Sequence, residues 1–286
     1  MKRILYILAT LAMVALTAQA APLYRADVVD AVPFNTAVAL GAVDGYTSIN
    51  KFGATPDFDQ DDGEVAIWDA ANDAVAFNAM TYTYSTTADI DSLASSSASD
   101  IGSIEVQGLT AALAAVTQTI TLTGQTRVAL TTPLMRVFRM KNVGSTNFVG
   151  NVSCYVTNSP TSSGVVTDSS HVRAAVLIGN NQTQMAIYTV AAGKKLSIES
   201  LYAYSAGASK TADYVIRLYA RPTGEVFQLK FEAAIIDGDS AYLEHPYPCP
   251  LVFAAGTDIE MRVEIPAGTA DSAYITAGFS GCLADN

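Results

Sequence analysis

The stretch DYVIRLYARPTGEVFQLKFEAAI (213–235) has the pattern of two β-strands joined by a tight turn. In its first half, Val215, Arg217 and Tyr219 alternate with apolar residues such as Ile216. Side chains two positions apart lie on the same face of a strand, so this spacing predicts one mixed face and one apolar face. Pro-Thr-Gly interrupts the alternation, which then resumes over EVFQLKFEAAI. The stretch therefore predicts a β-hairpin.

The same period of two recurs along the chain, with Gly, Asp or Pro between the segments. The other strand-like segments are SIEVQGL (103–109), QTITLTG (118–124), TRVALTT (126–132), MRVFRMKNV (135–143), FVGNVSCYVT (148–157), VRAAVLIG (172–179), TQMAIYTVA (183–191), KLSIESLYAYSA (195–206), SAYLEHPY (240–247), DIEMRVEI (258–265) and SAYITAGFSGCL (272–283). Short strands at regular spacing with turn residues between them are typical of antiparallel sandwiches. The sequence predicts an all-β protein of antiparallel β-sandwich units, jelly-roll or immunoglobulin-like, two in tandem.

Turn-rich segments divide the chain. NSPTSSGVVTDSS and GNNQT favour a linker region over 158–182, which leaves a β-unit at 84–157 and a C-terminal β-sandwich at 183–286. Residues 21–83 are predicted as an N-terminal arm with the first strands. Within this arm, TAVALGAV (36–43) reads as a strand.

The N-terminus has the three parts of a secretory signal peptide over residues 1–20. Lys2 and Arg3 precede a 14-residue apolar run, and Ala18-Gln19-Ala20 is a small-x-small cleavage signal. The run is shorter than the roughly 20 residues that cross a bilayer, and no later segment approaches a span. The alternative is an apolar segment buried in an assembly.

The chain is acidic and poor in charged residues. Without Lys2 and Arg3, 14 basic side chains stand against 27 acidic ones. Such a chain gains nothing from a phosphate backbone, so we expect no nucleic-acid partner. Three cysteines exclude a disulfide-dense scaffold. Either Cys249 pairs with Cys282 and leaves Cys154 as a thiol, or all three are buried thiols.

Motifs for catalysis are missing from the sequence. Neither His171 nor His245 has a nucleophile and a carboxylate at a recognisable spacing, and no G-x-S-x-G occurs. The usual zinc motifs and glycine-rich phosphate loops are also absent from the sequence. Paired carboxylates of the glycosidase type have no local signature, so a secreted hydrolase stays the last-ranked alternative. We expect no enzyme activity.

The most conspicuous chemistry is the acidic stretch TPDFDQDDGEVAIWD (55–69). In an extended chain Asp57, Asp59 and Asp61 would present their carboxylates on one face. An EF-hand loop from Asp57 fails, because its sixth position is Asp62 and not Gly and its twelfth is Trp68 and not Glu. A looser calcium site formed by Asp57, Asp59 and Asp61 remains as an alternative to a solvated loop. Calcium is the only cofactor that the sequence offers.

Surface contacts are a second candidate for function. Arg217 and Arg221 share one strand face and contact acidic neighbours, either within the fold or on another subunit. Trp68, Tyr82 and Tyr84 would form the platform of a carbohydrate-binding module if they were exposed, although aromatics at alternate positions are more often part of a core.

The run from NNQTQMAIYTVAAGKK to RPTGEVFQLKFEAAI (180–235) resembles a widespread group of tailed-phage and marine-virus proteins of poorly defined role. Earlier motifs follow in the order that the group shows: INKFG (49–53), EVAIWD (64–69), SSSASDIGSIEVQGL (95–109), TITLTGQTRVALTTPLMRVFRM (119–140) and GNVSCYVT (150–157). The resemblance spans most of the chain after residue 20. It implies a virion structural protein of the capsid or tail surface, built from β-sandwich units, and it carries over no catalytic or binding residue.

The predicted signal peptide departs from that group, because phage virion proteins are ordinarily assembled in the host cytoplasm. Either the protein is an exported cellular relative, or the virus assembles at a membrane, or the apolar segment is used within the particle. The leading interpretation is a non-enzymatic virion component that contacts copies of itself and other assembly proteins. The alternative is an exported module that binds a carbohydrate or cell surface. The expected location is accordingly the virion or the extracellular space.

Overall fold

The computed structural model describes residues 32–205, 213–236, 241–266 and 273–286. The predicted signal peptide (1–20) lies outside these ranges. The chain forms two compact units, Met1–Ser48 and Ile49–Asn286. Among the described residues no helix is long and apolar enough to cross a membrane.

In the first unit, helix α1 spans Phe34–Ala39. The prediction of a strand over 36–43 is therefore wrong: residues 36–39 are helical and 40–43 lie in the turn that follows. Pro33 directly precedes the helix, where the missing N–H and the fixed φ of proline are tolerated, and alanine favours helix. Apolar residues in so short a segment fit either structure, so the local pattern could not separate them.

The described residues form eighteen strands and two short 3-10 turns, Gln60–Asp62 and Ser169–His171. The strands are β1 Tyr46–Phe58, β2 Val65–Ala66, β3 Ile90–Ser95, β4 Ser103–Leu109, β5 Ala115–Thr121, β6 Val128–Leu134, β7 Arg136–Asn142, β8 Val152–Val156, β9 Thr161–Ser162, β10 Val165–Val166, β11 Val172–Val176, β12 Ile187–Thr189, β13 Lys194–Ser205, β14 Tyr214–Arg221, β15 Gln228–Ile235, β16 Ala241–Phe253, β17 Asp258–Glu264 and β18 Ala273–Asp285. The prediction of an all-β, sandwich-like fold is confirmed.

The C-terminal strands enclose one hydrophobic core. One sheet has the strand order β1-β18-β13-β16 and the other β12-β17-β14-β15, with β2 added to β17. Inward side chains of both sheets, among them Ile198, Leu218, Met261 and Phe279, belong to one buried cluster. β14 and β15 form the predicted hairpin, with Tyr214 opposite Ile235.

A second core lies between the sheets β11-β8-β3-β6 and β5-β4-β7. Trp68 is fully buried in it and donates its Nε1–H to the Ala79 carbonyl oxygen at 3.0 Å. Its burial confirms the core alternative for this aromatic residue. Within the turn-rich range 158–182, β11 is buried along its whole length and pairs with β8. The boundaries 84–157 and 183–286 stay predictions.

All three cysteines are thiols, with Cys154 and Cys282 buried and Cys249 exposed. The predicted Cys249–Cys282 bridge is therefore wrong, because β13 lies between the strands that carry them. Two strands that flank a third are roughly 10 Å apart, and a disulfide needs Cα atoms within about 7 Å. The alternative of three buried thiols fails at Cys249.

Candidate functional site

The densest arrangement of charged side chains lies on one face of β17. Strand alternation places Asp258, Glu260 and Arg262 on this face, while Ile259 and Met261 point into the C-terminal core. Asp258 and Glu260 are 4% and 2% exposed, which is unusual for carboxylates unless they are paired. We call this group the Asp258 site.

Asp258 accepts hydrogen bonds from three elements. Its Oδ1 accepts from Thr189 Oγ1 at 2.6 Å and from Arg136 Nε at 2.9 Å. Its Oδ2 accepts from Arg136 Nη2 at 3.0 Å and from Arg221 Nη2 at 2.6 Å. Burial disfavours the charge on Arg136, but the bonds to Asp258 raise its pKa above the ordinary value. The bidentate geometry is the one that stabilises buried arginine–carboxylate pairs.

Tyr84 lies between the two arginines. Its ring centroid is 5.0 Å from the guanidinium carbon of Arg136 and 4.7 Å from that of Arg221, which are cation–π distances. Its hydroxyl donates to Glu260 Oε2 at 2.9 Å. Burial, followed by the charge of Glu260, raises the pKa of Tyr84, so the phenol stays protonated. Burial also raises the pKa of Glu260, against the attraction of Arg262.

A second cluster continues along the same face. Glu64 accepts from Arg217 at 2.9 Å and from Arg262 at 2.8 Å. Arg217 also pairs with Glu232 and Glu264. Burial opposes the charge on Glu64, but hydrogen bonds from Arg262, Arg217 and Tyr219 lower its pKa below the ordinary value. Arg217 and Arg221 thus both form ion pairs with acidic side chains of this chain. The prediction that they pair within the fold is confirmed.

Beside Asp258 is a cavity of about 400 Å³. Its polar lining includes Tyr84, Arg136, Arg221, Glu225 and Asp258. Each guanidinium nitrogen of Arg136 already donates, two to Asp258 and the third to the carbonyl oxygens of Ser85 and Met135. The arrangement holds β7, β12, β14 and β17 together, and it offers neither an activated nucleophile nor an oxyanion hole among the described residues. Sequence reasoning missed it, because Arg136 and Asp258 are 122 positions apart.

The two histidines lie away from the Asp258 site. His171 Nε2 is 3.6 Å from Asp168 Oδ2 in the turn before β11. His245 on β16 packs its ring between those of Phe231 and Tyr247, and its ring centroid is 4.7 Å from each of theirs. The centroids of Phe231 and Tyr247 are 6.3 Å apart.

The acidic loop does not bring the predicted residues together as an extended chain would. After Phe58 the chain enters the 3-10 turn at 60–62, and the Asp59 N–H donates to Asp62 Oδ2 at 2.8 Å. The carboxylates that lie within 4.8 Å of one another are those of Asp59, Asp62 and Asp73. Asp57 and Asp61 are outside this group, so the structure supports one of the three predicted ligands as part of a cluster. Burial and the charge of Asp62 raise the pKa of Asp73. Calcium binding by this loop stays a prediction.

The predicted aromatic platform is wrong. Trp68 and Tyr82 are buried, with ring centroids 5.0 Å apart, and Tyr84 is enclosed by arginines. Trp68 and Tyr82 belong to the second core, and Tyr84 packs against that core. The rings of Trp68 and Tyr82 are therefore not available as a binding surface.

Comparison with known proteins finds only distant likenesses. The sequence matches no protein-family profile, and no curated protein matches it. A chain from the structure of infectious bursal disease virus Gx strain is 10% identical with a TM-score of 0.24, and the match covers 89% of this chain and 78% of that chain. A chain from the infectious bursal disease virus VP2 subviral particle is 11% identical with a TM-score of 0.23, over 89% and 78% of the two chains. Superpositions this loose carry no inference about function.

Proposed function

We propose that this protein is a non-enzymatic structural component of a virus particle, on the capsid or tail surface, related to the phage and marine-virus group that its motifs resemble. The proposal rests on the place where three of those motifs meet. INKFG contributes Gly53, EVAIWD contributes Ile67, and the NNQTQMAIYTVAAGK run contributes Ala186.

Gly53 lies directly against the backbone of the two other motifs. A Cβ atom on Gly53 would be 2.3 Å from the Ile67 carbonyl oxygen and 2.4 Å from the Ala186 nitrogen. These two atoms are themselves hydrogen-bonded at 2.9 Å. Because the neighbours are backbone atoms that cannot move aside, only glycine fits. The residues that carry the resemblance thus position segments of the chain, which is the pattern expected of a structural protein.

A structural role also agrees with the use of the charged side chains. Catalysis requires a group that can attack a substrate or exchange a proton with it. In the Asp258 site the carboxylate and the guanidinium of Arg136 satisfy each other and nearby backbone atoms. Their effect is to join strands that are distant in sequence, so we propose that the protein is not an enzyme.

The proposed partners are further copies of this chain and other virion proteins, and the proposed location is the virion. If the particle attaches to a host-surface glycan, we propose that the outer surface formed by the assembled copies of this protein makes that contact. The acidic net charge of the chain, −11, does not favour contact with nucleic acid. Export through the predicted signal peptide would place the protein outside the cell instead.

Mass spectrometry of gradient-purified particles and of the culture medium tests the proposal. We expect peptides of this chain in the particle fraction at an abundance comparable with that of other coat proteins. The N-terminal peptide separates the routes: Ala21 as the first residue indicates export and cleavage, whereas an intact N-terminus indicates that the apolar segment is retained. A monomer found only in the medium that binds glycans on an array would overturn the virion assignment.

A further inference from the structure

A second cavity, of about 410 Å³, lies apart from the Asp258 site. It is formed by β1, the segment after β2, the ends of β8 and β11, and β18. Its lining is rich in side-chain oxygen atoms. The lining residues are Pro56, Asp69, Asn72, Ala74, Val75, Asn151, Leu177, Ile178, Asn180, Gln184 and Tyr274.

Asp69 is the charged group of this cavity, and it is only 1% exposed. Its backbone N–H donates to the Gln184 carbonyl oxygen at 2.9 Å, and its Oδ2 accepts from the Gln184 N–H at 2.6 Å. These bonds fix the carboxylate in place. Its Oδ1 is buried and has no hydrogen-bond partner among the described residues.

A buried carboxylate that lacks a partner is costly, because a charge removed from water needs compensation. Among the described residues no Lys, Arg or His forms an ion pair with Asp69; the groups that favour its charge are the Gln184 N–H and the Asn180 side chain. Burial outweighs them and raises the pKa of Asp69 well above its ordinary value. The geometry leaves Oδ1 to be satisfied from inside the cavity, by a proton or by a cation that replaces it.

The remaining polar lining consists of neutral amides and the phenol of Tyr274. Asn72 Oδ1 accepts from the Ala74 N–H, and Asn151 Oδ1 accepts from the Ile178 N–H, both at 2.8 Å. Each bond fixes the orientation of the amide and leaves a second lone pair on its oxygen. Carboxylate and amide oxygens are the ligands that hard cations take.

The acidic loop adjoins this cavity. The backbones of Asp57 and Asn72 form an isolated parallel β-bridge. The Asp73 N–H donates to the Asp57 carbonyl oxygen at 3.0 Å. The carboxylates of the loop create a negative potential that raises the local concentration of cations. The loop therefore attracts cations towards the cavity, and the cavity supplies the oxygen atoms that would bind one.

We propose that this cavity binds a calcium ion, with Asp69 Oδ1 as the charged ligand and the amide oxygens of Asn72 and Asn151 among the neutral ones. Calcium accepts six to eight oxygens in flexible geometry, whereas magnesium requires near-ideal octahedral geometry and retains water. One carboxylate among neutral ligands gives a weak site, with a dissociation constant of roughly 10⁻⁴ to 10⁻³ M. The ion would join segments around residues 69 and 151, which are far apart in sequence.

Thermal unfolding of the metal-free protein, without and with calcium at about 10 mM, tests this site. A ligand at about 10 to 100 times its dissociation constant raises Tm by about 3 to 10 °C for a domain of this size. We expect that rise in the wild type, little or no rise with magnesium, and none in Asp69→Asn. The matched control Asp73→Asn removes a carboxylate of the acidic loop and keeps most of the rise.

A second readout does not depend on the folding of Asp69→Asn. Terbium replaces calcium in oxygen sites and emits when a nearby excited tyrosine transfers energy to it, and Tyr274 lines this cavity. We expect tyrosine-sensitised emission that falls strongly in Tyr274→Phe and is displaced by calcium. Asn151→Ala, which removes a proposed amide ligand, should weaken calcium binding about tenfold. The inference is overturned if calcium shifts neither Tm nor terbium emission, or if Asp73→Asn loses the calcium response while Asp69→Asn keeps it.

Discussion

Replacing Asp258 by Asn tests the buried charge cluster that joins strands of the two sandwiches. The substitution keeps the volume of the side chain and removes its charge. It leaves Arg136, which is 8% exposed, without its anionic partner, and it weakens the bonds from Thr189 and Arg221. The Asn amide also places an N–H₂ group where Oδ1 or Oδ2 accepted hydrogen bonds, so one donor faces another.

The expected cost follows from the burial of the pair. Breaking a buried ion pair by removing one partner costs about 3 to 5 kcal/mol, because the remaining charge cannot be solvated. The side chain of Arg221 is 27% exposed and can be solvated in part, so most of the cost comes from Arg136. For a folding unit of this size, 1 kcal/mol corresponds to about 2 to 4 °C, which gives a Tm lowered by about 6 to 20 °C.

Urea denaturation followed by fluorescence and circular dichroism measures this loss. The matched control is Asp285→Asn, which breaks the exposed ion pair with Lys194. Exposed pairs contribute about 0 to 1 kcal/mol, so the control should unfold nearly as the wild type does. If Asp258→Asn lost less than about 1 kcal/mol, or no more than Asp285→Asn, the buried cluster would not be the element that joins these strands.

Three further substitutions test other contacts. Gly53→Ala should destabilise the protein by several kcal/mol or prevent folding, since its Cβ would overlap the Ile67 carbonyl oxygen; soluble expression with unchanged Tm would contradict the packing argument. Burial, with a smaller effect of Arg139, lowers the pKa of Lys51 from 10.5 to about 7. The unfolded state therefore binds more protons between these values, and stability should rise with pH from about 7 to 10.5 in the wild type but not in Lys51→Met. The pKa of Glu64 is lowered, so the stabilising effect of this carboxylate is present above pH 4.5, the ordinary pKa, and is lost as the pH falls. Glu64→Gln should therefore be less stable at pH 7 and lose less stability in acid than the wild type. Identical acid titrations of the two proteins would exclude this contribution.

The strands could be predicted where alternation and turn residues agree. β4 has the bounds Ser103–Leu109 that the pattern predicts, because Gly102 before it and Thr110 after it interrupt the alternation. β5 spans Ala115–Thr121 and not 118–124, because the alternation continues on both sides and does not fix the ends. The helix at Phe34–Ala39 was missed because six residues are too few to separate the two periods.

The candidate sites were less accessible from the sequence. The acidic loop was visible as a run of carboxylates, but Asp73 joins Asp59 and Asp62 only through the fold. The partners of Asp258 come from β7, β12 and β14, so no local spacing announces them. Asp69 reads as an ordinary strand-end residue in EVAIWD, and only the structure shows that its carboxylate is buried.

Cryo-electron microscopy of purified particles tests the structural role most directly. The account predicts surface density that repeats with the symmetry of the capsid or tail and fits the two β-sandwiches of residues 49–286. It also predicts contacts between copies of this chain or with a neighbouring coat protein. Particles whose density is fully explained by other proteins, with this chain absent from their peptides, would contradict the account.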